Sequence, residues 1–415
     1  MNEMSRLTPV PDHIPADAVY DFDIHNDPGL LADPHKRVTQ ILEEAGGLFW
    51  TPRNGGRWIA FGHPEVFEVA RDPERFSSQY MPKAMMEAML ALMPKDAPRI
   101  PQVTPIGMDP PEHGIYRSPL QKTFSPRAAM AQMEEIRTLT DDLIDAVIDS
   151  GQCDFIPAIA EPLPVTVFLR MMGLPVERLG EFRVLVQDLL ANSSNENRMA
   201  TMGLLRRVAD AMMPQILARR DDRRDDIISL LWGTEVNGQP MTVDLMEDYA
   251  VLLFIAGLDT VINGMGFAVR HLAMNPALQA ELRADPSRIP LAVEEMLRRY
   301  TFVAPMRRVA KDCELAGRQL KENEVVMLYL PGADLDAREF PDPERYDIDR
   351  EANVHIAFGA GPHRCLGAHL ARVEMQVLYQ QMLMRLPEWR LDPDRPAKFR
   401  AGNIIAVESL PIRWD

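Results

Sequence analysis

The stretch Phe358-Gly359-Ala360-Gly361-Pro362-His363-Arg364-Cys365-Leu366-Gly367 decides how this chain is read. It is a glycine-rich loop that delivers a cysteine to the start of a helical pattern running from Leu366 to Leu386. A helix N-terminus favours negative charge, and its free N–H groups can bond a thiolate sulfur. Gly359, Gly361 and Gly367 let backbone approach something flat and bulky, and His363 and Arg364 place positive charge beside it. The plain alternative is a small buried hydrophobe, the commonest fate of a lone cysteine. Cys153 and Cys313 take that reading; the ten-residue frame around Cys365 sets it apart.

The rest of the chain is that of a large globular protein. Its 415 residues are 46% hydrophobic, ample for a substantial core, which excludes global disorder and fibrous architecture. Lys and Arg number 45 against 61 Asp and Glu, a net charge of −16. That balance argues against general affinity for nucleic acid or an anionic membrane, although a local basic patch survives such an average. Three scattered cysteines do not make a disulfide framework, so a reducing cytoplasm is expected. Met1 to Tyr20 lacks a signal pattern, and the longest apolar run, Tyr249 to Leu258, stops at Asp259. The expectation is a soluble protein forming a single domain over residues 1–415.

Helical periodicity runs through Met130 to Asp149, Val176 to Leu190, Met199 to Arg220 and Leu366 to Leu386. Hairpin signals sit at Arg53-Asn54-Gly55-Gly56 and at Val236-Asn237-Gly238. The fold class is therefore mainly α with a small β-sheet region. From the capping residue Thr242 no proline appears until Pro276, and Val251 to Ile255 is apolar all round, so this helix is buried. Ala256-Gly257-Leu258-Asp259-Thr260 interrupts it. Either Thr260 bonds back to a carbonyl one turn earlier while Asp259 caps an ion pair, or the helix kinks to open groups toward a ligand. On this element alone the first account is favoured. Likewise Glu295 and Arg298, at i and i+3, alone read as a surface salt bridge.

The Cys365 frame resembles the haem-binding loop of the cytochromes P-450, Phe-x-x-Gly-x-His/Arg-x-Cys-x-Gly, with Phe358, Gly361, His363, Cys365 and Gly367 in its fixed places. The resemblance implies an α-rich fold with haem b between the long central helix and the cysteine loop, Cys365 being the iron ligand. It matches Ala256, Gly257, Asp259 and Thr260 to the oxygen-binding helix, which reverses the preference stated for that element. Asp259 and Thr260 become the proton-delivery pair. Glu295 and Arg298 become the Glu-x-x-Arg motif, with Arg345 of Pro343-Glu344-Arg345-Tyr346 as third partner. His113 and Arg117, one turn apart after Pro110-Pro111, face the haem carboxylates together with Arg307 and His363; Arg308 rivals Arg307. Phe358 and Gly359 belong to the same cofactor-binding loop.

Further stretches are similar to the soluble bacterial camphor-hydroxylase group: Tyr20-Asp21-Phe22-Asp23, Phe76-Ser77-Ser78, Met108-Asp109-Pro110-Pro111-Glu112 and Gly257-Leu258-Asp259-Thr260-Val261. This implies O2 as co-substrate and electrons from a [2Fe–2S] ferredoxin, itself reduced by an NADH-dependent flavoprotein reductase. No flavin or nicotinamide fingerprint lies in the chain itself. A basic docking patch is expected from Arg117, Lys122 and Arg364. By the same resemblance the substrate pocket is lined by Pro101, Val103, Leu252, Ile255, Ala256, Phe302, Val303, Asn403 and Ile404. Pro101 stands where the camphor enzymes place a tyrosine, Asn403 where relatives carry an aliphatic, and Pro305 where they carry an acid. These departures point away from camphor to a terpenoid or norisoprenoid such as an ionone-like ketone. The methionines from Met81 to Met93 read equally as a flexible lid or as core. Rival classes are a haem sensor or carrier, a peroxide-using haem-thiolate enzyme and a cysteine hydrolase. The Asp259-Thr260 pair argues against the first two, and His363 lacks the orienting frame the third requires.

Overall fold

The computed structural model describes residues 7–92, 94, 98–192 and 198–415. The protein is helix-rich with small sheets, as expected, and divides into two compact units. One is Met1–Ser77, Ala129–Leu163 and Val261–Asp415; the other is Ser78–Ala128 and Pro164–Thr260.

The first unit is organised by a five-stranded sheet. Its strands are β1 (Leu48–Thr51), β2 (Arg57–Ala60), β3 (Phe76–Ser77), β4 (Met306–Val309) and β5 (Val325–Leu328), in the order β1-β2-β5-β4-β3. β1 and β2 form the expected hairpin, pairing Leu48 with Ala60 and Thr51 with Arg57. Its turn needs the left-handed φ angles of Asn54 (54°), Gly55 (85°) and Gly56 (71°), which asparagine and glycine adopt most readily. One core cluster joins Trp50, Trp58, Val66, Val69, Phe76, Val326 and Leu328 to Ile356 and Ala360. The backbone leading into the cysteine loop is thereby fixed to the sheet.

The expected helices appear as Met133–Asp145, Leu179–Asn192, Arg198–Asp221 and Ala368–Arg385, and Glu235–Val236 pairs with Gln239–Pro240 as the second hairpin. In the second unit, helix Lys83–Ala91 carries an exposed Met85 (57%) with Met86 and Met89 half-buried, so this stripe is not core; Met93 lies outside the described residues. One expectation is corrected. Val243–Met274 is long and apolar enough to cross a membrane, because the apolar run resumes at Val261 after Asp259. Of its most apolar window, 61% is buried inside the protein, as in a core helix.

Candidate active site

In the first unit the Cys365 backbone N–H donates to the Phe358 carbonyl at 2.8 Å, closing the loop on itself. Gly361 has φ 68°, and a Cβ there would run into the Ala70 carbonyl oxygen at the end of helix His63–Arg71, so only glycine fits. Cys365 emerges exposed, three residues before the start of helix Ala368–Arg385. The other thiols differ. Burial pushes Cys153 up to about 12 and raises Cys313. Of the three, only Cys365 combines exposure with a helix N-terminus that favours an anion.

Beneath the loop, Arg372 lies 4.6 Å over the Phe358 ring and is held by Glu294 at 2.5 and 2.8 Å. Burial raises the Glu294 carboxyl, but hydrogen bonds from His355 and Arg372 outweigh it and hold the group at about 2. Next to it stands a buried ion network. Glu295 accepts from Arg298 at 2.7 and 2.8 Å, from Arg350 at 3.3 Å, from Asn353 at 3.1 Å and from the Asp347 N–H at 3.0 Å. This corrects the assignment of Arg345. Its side chain is 69% exposed with Asp347 at 3.6 Å, and only its carbonyl joins the network, accepting from Arg298 and Arg350. Arg350, 9% exposed, takes the third place.

β4 places the two rival arginines on opposite faces by alternation. Arg308 donates to Asn323 Oδ1 at 3.2 Å, and Arg307, buried, points to the opposite face. Four of the expected pocket positions come together in this unit. Val303 and Ile404 form an antiparallel bridge, the Ala304 N–H donates to the Asn403 carbonyl at 2.8 Å, and the Ile405 N–H donates to the Phe302 carbonyl at 2.8 Å. Phe302, Val303, Asn403 and Ile404 are all half-buried. Asn403 Oδ1 is buried without a hydrogen-bond partner among the described residues.

In the second unit, Thr242 caps helix Val243–Leu258 by accepting from the Leu245 N–H at 3.2 Å. The helix breaks at Asp259 (φ −120°, ψ −31°) and resumes at Thr260. Thr260 Oγ1 donates to the Ala256 carbonyl at 3.2 Å, so the back-bond and the break, posed as alternatives, both occur. Val251, Leu253, Phe254 and Leu258 are buried, yet Leu252, Ile255, Ala256, Asp259 and Thr260 are not. These five share one face of the helix, an apolar stripe ending in a carboxyl and a hydroxyl. Gly257 lies off that stripe; a Cβ there would run into the Phe168 ring. Tyr249 donates to the Tyr116 carbonyl at 2.6 Å, tying helix Glu112–Gln121 to the central helix. That helix carries His113, buried, and Arg117, half-buried, one turn on.

The sequence reading missed one cluster in this unit. Arg99 donates to Asp248 at 2.6 and 2.7 Å and to Glu247 at 3.1 Å, and Arg206 donates to Glu247 at 2.6 and 3.0 Å. Glu247 lies in the second turn of helix Val243–Leu258. The missed signal was Asp248 beside it, two charges in succession entering a helix that is apolar thereafter.

The residues present fit a flat apolar cofactor with an anionic fringe. In the first unit an exposed cysteine stands on a backbone fixed by glycine, and Arg307 is a buried donor; in the second, taken by itself, an apolar stripe is left uncovered along an otherwise buried helix, and His113 and Arg117 are buried or half-buried donors. Comparison with known proteins agrees. Residues 185–414 match the family described as Cytochrome P450. The chain is 31% identical to the probable cytochrome P450 127A1 of Sinorhizobium fredii over 99% of its own length and 98% of that protein. It is 34% identical to the steroid C26-monooxygenase of Mycobacterium tuberculosis, over 93% of this chain and 95% of the relative. The crystal structure of CYP101J2 superposes with a TM-score of 0.86 at 34% identity, covering 99% of this chain and 100% of that one. With a family match over more than half of the chain and relatives above 30% identity along nearly all of it, the chain belongs to the cytochrome P450 family of haem-thiolate monooxygenases.

Proposed function

We propose that this chain is a ferredoxin-dependent monooxygenase that hydroxylates an unactivated C–H bond of a compact terpenoid- or norisoprenoid-like molecule. The observation that carries the reading is the backbone pairing of Phe302 and Val303 with Asn403 and Ile404, four half-buried positions of which three are apolar and one is an amide. Leu252 and Ile255, half-buried on the central helix of the second unit, are further apolar positions that the family resemblance assigns to the pocket. Such linings bind small hydrophobic molecules and orient them by the polar handle. The motifs shared with the camphor-hydroxylase group, such as Gly257-Leu258-Asp259-Thr260-Val261, support a compact substrate. The 34% identity to a steroid C26-monooxygenase supports a second reading, a steroid side chain.

When bound, the haem supplies dioxygen activation, driven by two electrons and two protons. We assign Cys365 Sγ as its thiolate ligand. His113, Arg117, Arg307 and His363 hold its carboxylates by charge-assisted hydrogen bonds. Ala256 and Gly257 belong to the helix facing it, and Phe358, Gly359 and Gly367 shape the loop. Thr260 Oγ1, which donates to the Ala256 carbonyl, would be the hydroxyl that turns to hydrogen-bond on the oxygen side of the haem. Asp259, at the helix break, carries protons in from solvent. Pro101 and Val103 close the substrate side. Electrons come from a [2Fe–2S] ferredoxin reduced by an NADH-dependent flavoprotein. We take the protein as a soluble cytoplasmic monomer acting as one catalytic domain over residues 1–415.

A spectral-shift screen of terpenoids, norisoprenoids and steroids, followed by product analysis with ferredoxin and reductase, tests this reading. A hydroxylated terpenoid or norisoprenoid is expected; turnover of steroids alone would overturn the substrate assignment. Thr260→Ala is expected to keep consuming NADH while hydrogen peroxide replaces alcohol. Unchanged coupling to product would remove Thr260 from proton delivery. Cys365→Ser, without the thiolate-type carbon-monoxide spectrum, serves as the blank.

A further inference from the structure

The cluster around Arg99 joins three segments of the second unit: the loop over residues 98–108, helix Arg198–Asp221 and the central helix Val243–Leu258. Asp248 accepts both bonds from Arg99 Nη2 and one from the Gln102 backbone N–H at 2.7 Å. Glu247 is shared between Arg99 and Arg206. Arg206 also donates to the Arg99 carbonyl at 3.3 Å and to Asp210 at 2.8 Å. The two central carboxylates are only 6% and 8% exposed, whereas Arg99 is 32% exposed. At the core of the cluster two guanidinium groups thus balance two buried carboxylates. Unlike exposed pairs, such a pair is costly to break from one side, because it strands a buried charge. Asp248 stands one turn before Leu252 on the helix that carries the uncovered stripe, and Gln102 lies between Pro101 and Val103. The bonds therefore fasten the loop where it meets that helix.

The geometry points to Arg99 and Asp248 as positioning residues that latch the loop over residues 98–108 across the substrate route, so that their parting gates entry and exit. This rests on the proposed placement of Pro101 and Val103 beside the substrate. A gate differs from a binding contact in its kinetics: releasing it speeds association and dissociation together.

The probe is 4-phenylimidazole, whose imidazole nitrogen reports its arrival at the haem iron of the holoenzyme, followed by stopped-flow absorbance. Arg99→Ala is expected to raise both rate constants about tenfold, the scale of coupling within a contacting ion network. Asp248→Asn, nearly isosteric, should do the same, and Arg99→Lys, whose single nitrogen cannot serve Asp248 and Glu247 together as Nη2 and Nη1 do, should fall between. The carbon-monoxide spectrum of each variant checks that the thiolate site is intact. Val103→Trp separates the two levels of the argument. If it leaves both rates unchanged, the loop does not border the route, and the placement and the latch fall together. If Val103→Trp slows binding while Arg99→Ala and Asp248→Asn stay within about twofold of wild type, the latch alone is refuted.

Discussion

Arg345 and Arg350 show how one residue's environment decides what its charge does. Both are arginines in the segment after helix Ile289–Arg299, and the string Pro343-Glu344-Arg345 draws attention to the first. The backbone settles the choice. The Arg345 N–H closes a turn onto the Asp342 carbonyl at 3.0 Å, sending its side chain out to solvent, whereas Arg350 folds back to bond Glu295 and the carbonyls of Pro341 and Arg345. Removing Arg350 takes one cation from a buried carboxylate, which costs about 3 kcal/mol where such networks have been cut from one side. Arg345→Ala leaves its carbonyl in place and should change stability by no more than about 0.5 kcal/mol. The urea midpoint for loss of the thiolate-type spectrum compares the two. Equal shifts would restore Arg345 to the network.

The central helix and the cysteine loop were legible in sequence because each carries its own punctuation: a threonine cap, a prolineless run, glycines at fixed offsets. The strand pairing β2 to β5 was not, since it joins residues more than 260 positions apart and no local pattern encodes a partner. The Arg99 cluster was hidden for the same reason, its members drawn from three separated segments. Its element-level consequence is a pH response. Burial pushes the Asp248 carboxyl up to about 6, against the pull of Arg99 and the Gln102 N–H and with repulsion from Glu247. Asp244, 3.6 Å from Arg99, and Arg206 complete the charges around it. Asp248 is a carboxylate above that pH and neutral below it, so the bond to Arg99 weakens as pH falls through about 6. In wild type the exchange of 4-phenylimidazole should therefore quicken between pH 7 and 5. In Asp248→Asn it should be fast throughout and lack that step. A wild-type step that survives in Asp248→Asn would belong to another group.

At the scale of the whole molecule the charge of −16 opposes an acidic electron donor on average, yet the average is the wrong quantity. At physiological ionic strength a charge is screened within about 8 Å, so a docking partner feels what lies around its landing point. On the first unit that neighbourhood presents two exposed cations. Arg364, within the cysteine loop, is exposed, and so is Arg71, whose Cα lies where the backbone of the Gly361 turn packs on helix His63–Arg71. Acids occur there too, Asp72 and Glu68, but both are engaged by Arg75, at 2.6 and 2.7 Å. If this patch receives ferredoxin, raising NaCl from about 50 to about 300 mM shortens the Debye length and should raise the KM for ferredoxin. The double variant Arg71→Glu, Arg364→Glu should raise KM at low salt and flatten that dependence, leaving kcat at saturating ferredoxin near the wild-type value. Were the net charge in control, salt would relieve repulsion and KM would fall. That sign would place the electron donor elsewhere on the surface.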